Sequence, residues 1–373
     1  MRLSNVFNLG VKELRSLSRD RLLLALIIYA FTFAIYAGAT ALPETLNRAA
    51  IAIIDEDRSP LSNRIVSAFY PPYFLPPQMI TQAQMDKRMD EGLDTFALNI
   101  PPNFQRDVLA GRSPAIQLNV DATRMTQAFT GSGYIQSIIN REVSAFVNRY
   151  QSRPSSPVEL VERIAFNPTL EKSWFGSIVE LINNVTILSI ILTGAALIRE
   201  REHGTIEHLL VMPVTPTEIM LAKIWAMGLV VWVASALSLT FVIQGYMSVP
   251  IQGSVPLFMA GAAAHLFATT SLGIFLGTVS RSMPQLGLLT ILVLIPLEML
   301  SGGMTPRESM PEIVQNIMLA APTTHFVMLA QGILYRGAGF SVVYPQFIAL
   351  FIIGAALFAF SLARFRKALS EMG

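Results

Sequence analysis

Long apolar runs alternate with short polar connections along most of this chain. A hydrocarbon core needs about 20 apolar residues in helical conformation. Runs that meet or nearly meet this length occupy residues 22–42, 175–198, 224–246, 257–279 and 347–362. A further run, residues 285–303, is apolar but is interrupted by Pro296 and Glu298. The pattern therefore predicts an α-helical polytopic membrane protein with six transmembrane helices.

One long interval, residues 43–173, has a water-soluble composition instead. Short runs with the periodicity of strands lie at residues 50–54, 95–100 and 116–120, and helical patterns lie at 60–69, 81–91, 104–110 and 127–150. Alternation of strands with helices is typical of an α/β domain. We therefore expect an α/β domain inserted between the first and second spans. The acidic run Asp55-Glu56-Asp57 is more often a solvated turn than a cation site, and no metal is expected.

Residues 1–21 precede the first apolar run and have a different pattern. Apolar side chains at helical spacing form one stripe, and Lys12, Arg15 and Arg19 form another. This arrangement predicts an amphipathic helix in the membrane surface. The alternative is a solvated basic segment that only directs topology. A cleaved signal peptide is disfavoured, since the run at 22–42 exceeds the roughly 7–15 residues usual for one.

Residues 304–338 form a second unusual connection. Thr305, Pro306, Arg307 and Glu308 have the order of a capping box, which predicts a helix start. The apolar stretches at 312–321 and 324–334 are each too short to span a bilayer. We expect two re-entrant or interfacial half-helices, which either form an external gate or plug the external end of the bundle.

Composition agrees with this class and excludes others. Hydrophobic residues make up 52% of the chain and charged residues 14%, against roughly 25% charged residues in soluble domains. A net charge of +2 does not favour nucleic-acid binding. The chain contains no cysteine, so disulfides, thiolate metal sites and cysteine nucleophiles are excluded.

Basic residues predict the orientation of the spans. They are concentrated before the first run, between the second and third, between the fourth and fifth, and after the last. Short cytoplasmic connections carry an excess of Lys and Arg. Both termini, including the tail at 364–373, are therefore expected in the cytoplasm, with residues 43–173 outside.

The densest charge in the chain lies between the second and third spans. Arg199-Glu200-Arg201-Glu202 is followed by His203-Gly204-Thr205-Ile206-Glu207. Membrane insertion does not require carboxylates at such a position. The stretch therefore indicates a docking surface for a cytosolic partner. The alternative is an ordinary loop whose charges pair with one another.

Polar residues inside the apolar runs are candidates for a substrate path. Glu180, Asn183 and Asn184 share one helical face, and Glu298 lies in the fifth run. Such residues face a cavity, a subunit seam or a neighbouring helix, or reach the headgroups from near the interface. For His265 and the glycine pair Gly273 and Gly277, helix–helix contact is the favoured interpretation.

Several segments resemble those of ABC-2 type permeases, the membrane subunits of a class of ATP-binding-cassette exporters. The most specific is REREHGTIEHLLVMPVTPTEIMLAKIW at residues 199–225. The segments FNLGVKELRS, INNVTIL, RSMPQLGLL and MLSGGMTPRESMP also resemble the bacterial inner-membrane members that carry a large external insert. The resemblance covers essentially the whole chain.

The resemblance implies a division of labour with other subunits. Glu200, Glu202, Gly204, Thr205 and Glu207 would lie where the permease meets its ATPase. The chain has no phosphate-binding loop of its own, so ATP would be hydrolysed by a separate nucleotide-binding subunit. A second permease subunit and a periplasmic adaptor are the other implied partners, and no cofactor is implied.

The resulting organisation has five parts: residues 1–21, 22–42, 43–173, 174–363 and 364–373. The fourth is a five-helix membrane domain that contains the coupling loop 199–223 and the re-entrant segment 304–338. The expected function is export of an amphipathic substrate, and for the external domain a protein partner is favoured over a small ligand. The alternative is a membrane scaffold or sensor. An intramembrane enzyme is disfavoured because no catalytic motif occurs in the spans.

Overall fold

The computed structural model describes residues 2–40, 46, 48–121, 125–150, 172–202 and 213–370. The chain divides into two compact units. One comprises Leu42–Arg163, and the other comprises Met1–Ala41 together with Ile164–Gly373. Each unit is described by itself.

The described elements, in chain order, are thirteen helices and four strands. They are α1 Leu3–Arg19, α2 Arg21–Thr40, β1 Ile51–Asp55, α3 Pro60–Ser67, β2 Gln78–Met79, α4 Gln82–Asp90, β3 Phe96–Ile100, α5 Phe104–Leu109, β4 Gln117–Val120, α6 Met125–Tyr150, α7 Lys172–Glu202, α8 Pro216–Tyr246, α9 Val255–Val279, α10 Met283–Met299, α11 Glu312–Met318, α12 Pro322–Tyr335 and α13 Phe340–Ser370.

Within the described residues, α2, α7, α8, α9 and α13 are long and apolar enough to cross a membrane. The helix α10, in the place of the fifth predicted span, is shorter at 17 residues, and Pro296 lies in its last turns. The helices α11 and α12 meet at 91° and together have the composition of one broken span. The count of six spans stays a prediction.

Two predicted helix starts have different outcomes. At the start of α8, Thr215 and Glu218 form the expected capping box, with Pro216 at the first helical position. The capping box predicted at 305–308 is wrong: Arg307–Ser309 is a single 3₁₀ turn without a side-chain cap. Because this turn ends in an extended residue before Pro311, the next helix begins only at Glu312.

The charged stretch after α7 is more helical than the sequence predicted. Residues 199–202 form the last turn of α7, and residues 216–223 form the first turns of α8. Arg and Glu are good helix formers, so the apolar helix continues through them into its polar end. The connection between the two helices comprises residues 203–215, of which residues 213–215 are described.

The helices α7 and α9 approach closely because small and hydroxyl residues line their contact. A Cβ atom at Gly273 would lie 2.7 Å from the carbonyl oxygen of Ile190, so only glycine permits this approach. His265 shares a 2.9 Å hydrogen bond with Thr186 and stacks on Phe326. The predicted helix–helix roles of Gly273 and His265 are therefore confirmed.

The unit Leu42–Arg163 contains a four-stranded sheet in the order β2-β1-β3-β4. The strand β1 pairs in parallel with β2 and β3, whereas β4 is antiparallel to β3. The main core, which includes Ile65, Phe74 and Phe96, lies against α3, α5 and α6, and a smaller cluster forms around Met85 of α4. The predicted mixture of strands and helices is present in this unit.

The acidic run after β1 is a structured turn. Asp55 accepts hydrogen bonds from the backbone of Asp57 and Arg58 and from the hydroxyl of Ser62. Asp57 accepts another from the backbone of Gln105. Through these bonds the two aspartates stabilise the turn and the beginnings of α3 and α5.

Candidate coupling site at the end of the helix bundle

The amphipathic helix α1 packs directly on α8. The rings of Phe7 and Trp225 stack with centroids 5.9 Å apart, and the indole nitrogen of Trp225 donates to the carbonyl oxygen of Val6 at 3.1 Å. A Cβ atom at Gly10 would lie 2.1 Å from the Trp225 ring, so the glycine allows the close contact. The predicted amphipathic helix is therefore packed against the helix bundle.

Four charged residues from three helices meet beside this contact. We call Lys12, Glu13, Glu200 and Lys223 the charge cluster. The Nζ atom of Lys223 lies 2.9 Å from Glu13 and 2.8 Å from Glu200, and Lys12 lies 2.6 Å from Glu200. The cluster joins α1, the end of α7 and the start of α8.

Burial makes the charge balance of this cluster important. Lys223 is 1% exposed and Glu200 is 8% exposed, whereas about half of the Lys12 side chain is exposed. Two lysines and two carboxylates are neutral together, and Lys223 also donates to the carbonyl oxygen of Ala196 at 3.2 Å. A buried charge is tolerated only when it is paired and hydrogen-bonded in this way.

The same contacts shift the pKa values of the two residues on α1. Burial raises the pKa of Glu13, and the charge of Glu200 adds to this against the opposing charge of Lys223. Burial alone would lower the pKa of Lys12, but the hydrogen bond and the charge of Glu200 outweigh it and raise that pKa. Lys12 therefore keeps its positive charge beside Glu200.

Further bonds hold the last turn of α7. Arg199 donates to Asp20, between α1 and α2, at 2.9 Å, and Arg201 donates to the carbonyl oxygen of Ser280 at 2.5 Å. Glu202 accepts from the backbone of Met283 at 3.1 Å. A displacement of this turn would therefore act on the middle and the C-terminal end of α1 and on the connection from α9 to α10.

The start of α8 is held to the other end of α1. Glu218 accepts a hydrogen bond from the backbone nitrogen of Arg2 as well as from its own capping partner Thr215. The amide of Asn5 lies 3.4 Å from both Glu218 and the carbonyl oxygen of Pro213. Both ends of the connection at 203–215 are thus attached to α1.

The five predicted coupling residues fall into three groups. Glu200 is buried in the charge cluster, where its partners lie on α1 and α8, and Glu202 is exposed. Gly204, Thr205 and Glu207 lie outside the described residues. For all five residues, a role at the contact with an ATPase stays a prediction.

Sequence reasoning did not find the partners of Glu200. The sequence pattern places Lys12 in the polar stripe of an amphipathic helix and Lys223 among the basic residues that predict orientation, and it does not single out Glu13. A lysine in the first turns of an apolar helix is a usable signal, since it requires a buried carboxylate if the bundle covers it. The distance along the chain conceals the pairing, because Lys12 and Glu200 are 188 residues apart.

The predicted substrate-path residues make contacts between helices in the described structure. Asn184 is buried and donates to the carbonyl oxygen of Ala30 in α2 at 2.9 Å. The Glu180 side chain lies against Gly38 of α2, where a Cβ atom would be 2.6 Å from it. Asn183 is buried, and one carboxylate oxygen of Glu298 is buried without a hydrogen bond among the described residues. Their role in a path stays a prediction.

Of the predicted external-gate residues, Thr305 and Pro306 precede the 3₁₀ turn before α11, and Arg307 and Glu308 lie on it. Thr305, Pro306 and Glu308 are exposed, whereas Arg307 is half-buried and donates to the carbonyl oxygen of Gln315 at 3.4 Å. This contact ties the turn to α11. A gating role stays a prediction.

The exposed surface of the helical unit is apolar. Leu22, Phe241, Leu292 and Ile352 are each more than 60% exposed, and they lie on four different long helices. Apolar side chains pointing outward on several helices are stable in lipid. The helical unit is therefore that of a multi-pass membrane protein. Ion pairs between helices hold together the end that contains the charge cluster.

Comparison with known proteins identifies the family: the chain belongs to the ABC-2 family of transporter proteins, whose model matches residues 22–363. Members of this family are the membrane components of transporters and are not themselves catalytic. They work with a nucleotide-binding ATPase subunit.

Two relatives extend the similarity over nearly the full length. The chain is 64% identical over 370 residues to the inner membrane transport permease YhhJ of Escherichia coli K12, which covers 99% of both chains. It is 25% identical over 360 residues to the probable multidrug ABC transporter permease YbhR of the same organism, covering 95% of this chain and 96% of the relative.

Proposed function

We propose that this chain is the permease subunit of an ATP-driven exporter that moves an amphipathic substrate out of the cytoplasm or the inner leaflet. Membership of the ABC-2 family supports transport, and the relative named as a multidrug permease supports an amphipathic substrate. The energy would come from ATP hydrolysed by a separate subunit. The setting is the bacterial inner membrane, as the name of the similar permease suggests.

The observation that carries this proposal is the charge cluster and its attachments. A partner that moves the connection at 203–215 would pull on the last turn of α7 and the first turn of α8, both of which are fixed to α1. Glu200 transmits this movement from inside the bundle, whereas the exposed Glu202 is available at the surface. Gly204, Thr205 and Glu207 complete the proposed contact with the ATPase.

The transport path is the less constrained part of the proposal. We assign Glu180, Asn183, Asn184 and Glu298 to its outer half, because polar groups within apolar helices are costly unless they have a function or a partner. The turn at 305–308 would lie at its external opening. A second permease subunit would complete the path, as a homodimer or a heterodimer.

Charge reversal tests the coupling role. Glu202→Lys combined with Glu207→Lys should abolish substrate-stimulated ATP hydrolysis by the purified complex, or detach the ATPase, while membrane insertion is retained. Reversal of one side of a desolvated charge pair costs about 2–5 kcal/mol, enough to disrupt a transient interface. Asp86→Lys, at an exposed position of α4, is the matched control and should leave coupling unchanged. Wild-type coupling in the double variant would refute the assignment.

A periplasmic adaptor is the proposed partner of the unit Leu42–Arg163. A folded unit of this size far exceeds the few residues needed to join two spans. Replacing residues 46–163 by a short Gly/Ser linker should keep ATPase association intact and abolish export from cells. Cysteine cross-linkers at Asp121 should capture the adaptor in the intact chain. Continued export by the shortened chain, or capture of only a second permease, would show that the adaptor proposal is wrong.

A further inference from the structure

An open cavity of about 770 Å³ lies within the unit Leu42–Arg163. Its apolar walls come from three sides: Leu98 and Leu118 of the sheet, Phe104 of α5, and Ile135 and Ile139 of α6. Sites for small molecules in proteins have volumes of roughly 300–1,000 Å³ and predominantly apolar walls. This cavity has such a volume, and its walls combine apolar and polar groups in similar proportion.

Two glycines of α6 show that the helix lies close to the sheet at one position and leaves open, solvent-exposed space at another. At Gly131 a Cβ atom would lie 2.2 Å from the ring of Phe96, so the helix is pressed against the sheet there. At Gly133 a Cβ atom would meet no described atom within 4 Å. Leu118 and Ile139 remain half-buried as a result. Protein interiors are normally close-packed, and apolar walls that face water gain stability when an apolar molecule covers them.

The polar groups at the cavity are suited to hydrogen bonding without charge. Gln136 and Asn140 are one helical turn apart on α6, and both are exposed, with side chains that do not hydrogen-bond to another described residue. Arg112 is the one charged residue among the described lining residues, and its guanidinium is paired with Asp107. The cavity therefore offers amide groups but no free cation or anion.

We propose that this cavity binds one small, uncharged amphipathic molecule. Its apolar body would lie between the sheet and Ile135 and Ile139, and its polar end would hydrogen-bond to Gln136 and Asn140. The sequence pattern favoured a protein partner for this unit, and the cavity is a separate site for a small ligand. The proposal concerns binding alone, so its test does not depend on export or on an ATPase.

The absence of cysteine from the chain allows a direct test. Val143→Cys places a thiol on the cavity wall, and Ala83→Cys places one on the exposed surface of α4 as a control. The full-length variants, in lipid nanodiscs, are labelled by a charged maleimide with and without N-phenyl-1-naphthylamine, an uncharged amphipathic probe. A bound ligand is mostly covered by its pocket, so labelling at position 143 should slow by about fivefold and labelling at position 83 should not change.

Two further comparisons define the site and the ligand class. In the Val143→Cys background, Gly133→Phe should weaken protection by about tenfold. The phenylalanine ring would occupy part of the cavity, and the ligand would lose the burial of about two or three methylene groups. Gly133→Ala should retain protection. The anionic analogue 8-anilino-1-naphthalenesulfonate should protect less than the uncharged probe.

The remaining outcomes would overturn the proposal. Equal protection at positions 83 and 143 would mean nonspecific partition, and no protection at either would mean that the cavity does not bind this class. Slow labelling at position 143 without any compound would mean that the protein itself fills the cavity. Equal or stronger protection by the sulfonate would exclude an uncharged ligand as the preferred class.

Discussion

Individual charged residues decide how the end of the bundle that contains the charge cluster is held together. Lys223 is almost fully buried and contacts both carboxylates, whereas Lys12 contributes the second positive charge from a half-exposed position. Breaking a buried pair leaves an uncompensated charge and costs more than breaking an exposed pair. The two lysines therefore provide a matched comparison within one cluster.

Replacement of each lysine by methionine should show this difference. Lys223→Met leaves Glu13 and Glu200 without their buried cation, and we expect a loss of roughly 3–5 kcal/mol in unfolding free energy. Lys12→Met removes a half-exposed partner and should cost about 1 kcal/mol or less. Thermal denaturation of both variants in the same detergent checks the order. Equal losses would show that burial of Lys223 does not determine the stability of the cluster.

At the scale of helices, close approach between α7 and α9 depends on glycine. The backbone of α7 occupies the space where a Cβ atom at Gly273 would be, and the hydroxyl of Ser189 bonds to Thr269 across the same contact at 2.6 Å. Small residues allow such approach in membranes, where packing replaces the hydrophobic effect between helices. The two helices therefore act as one rigid element behind the last turn of α7.

A bulky residue at this contact should separate the helices. Gly273→Leu forces the α7 backbone to move and should destabilise the bundle by about 1–3 kcal/mol or more, as overpacking does. Gly287→Leu, on an open face of α10, is the control and should be tolerated. The measurement is the fraction of protein that remains monodisperse after heating, determined by size-exclusion chromatography. This fraction should be lower for Gly273→Leu than for Gly287→Leu. Comparable losses in both variants would indicate that the contact is adaptable.

The whole molecule combines a lipid-exposed helical unit with a compact α/β unit. A sheet with polar edges and charged helices is suited to water, whereas the apolar helices require lipid. The charge distribution along the sequence predicts that the α/β unit lies outside and that both termini lie inside.

Single cysteines test this orientation in intact cells. Ser113→Cys lies at an exposed position of the α/β unit and should react with a membrane-impermeant thiol reagent. Ser370→Cys, at the end of α13, should react only after lysis. The chain has no other cysteine, so wild-type protein is the blank. Reaction at both positions, or at position 370 alone, would contradict the predicted topology.

Local features of the sequence were sufficient for most individual elements. The strand β1 and the capping box that begins α8 depend on a few neighbouring residues, and both are observed. The helix start predicted at 305–308 failed because the motif does not show how the chain leads into Pro311. The spans were recognisable for the same reason as the strands, since periodicity and length are local properties.

Tertiary structure decided which of these local features meet, and so it decided the candidate sites. The sequence presents Glu200 as part of an acidic docking surface, but burial against Lys12 and Lys223 makes it an internal brace. The cavity beside Gly133 has no sequence signature, because unfilled volume depends on how closely α6 lies against the sheet. Periodicity determines which residues can be buried. Contacts between distant segments determine which partner each buried residue meets and how much volume between them stays unfilled. Local sequence patterns do not encode these contacts.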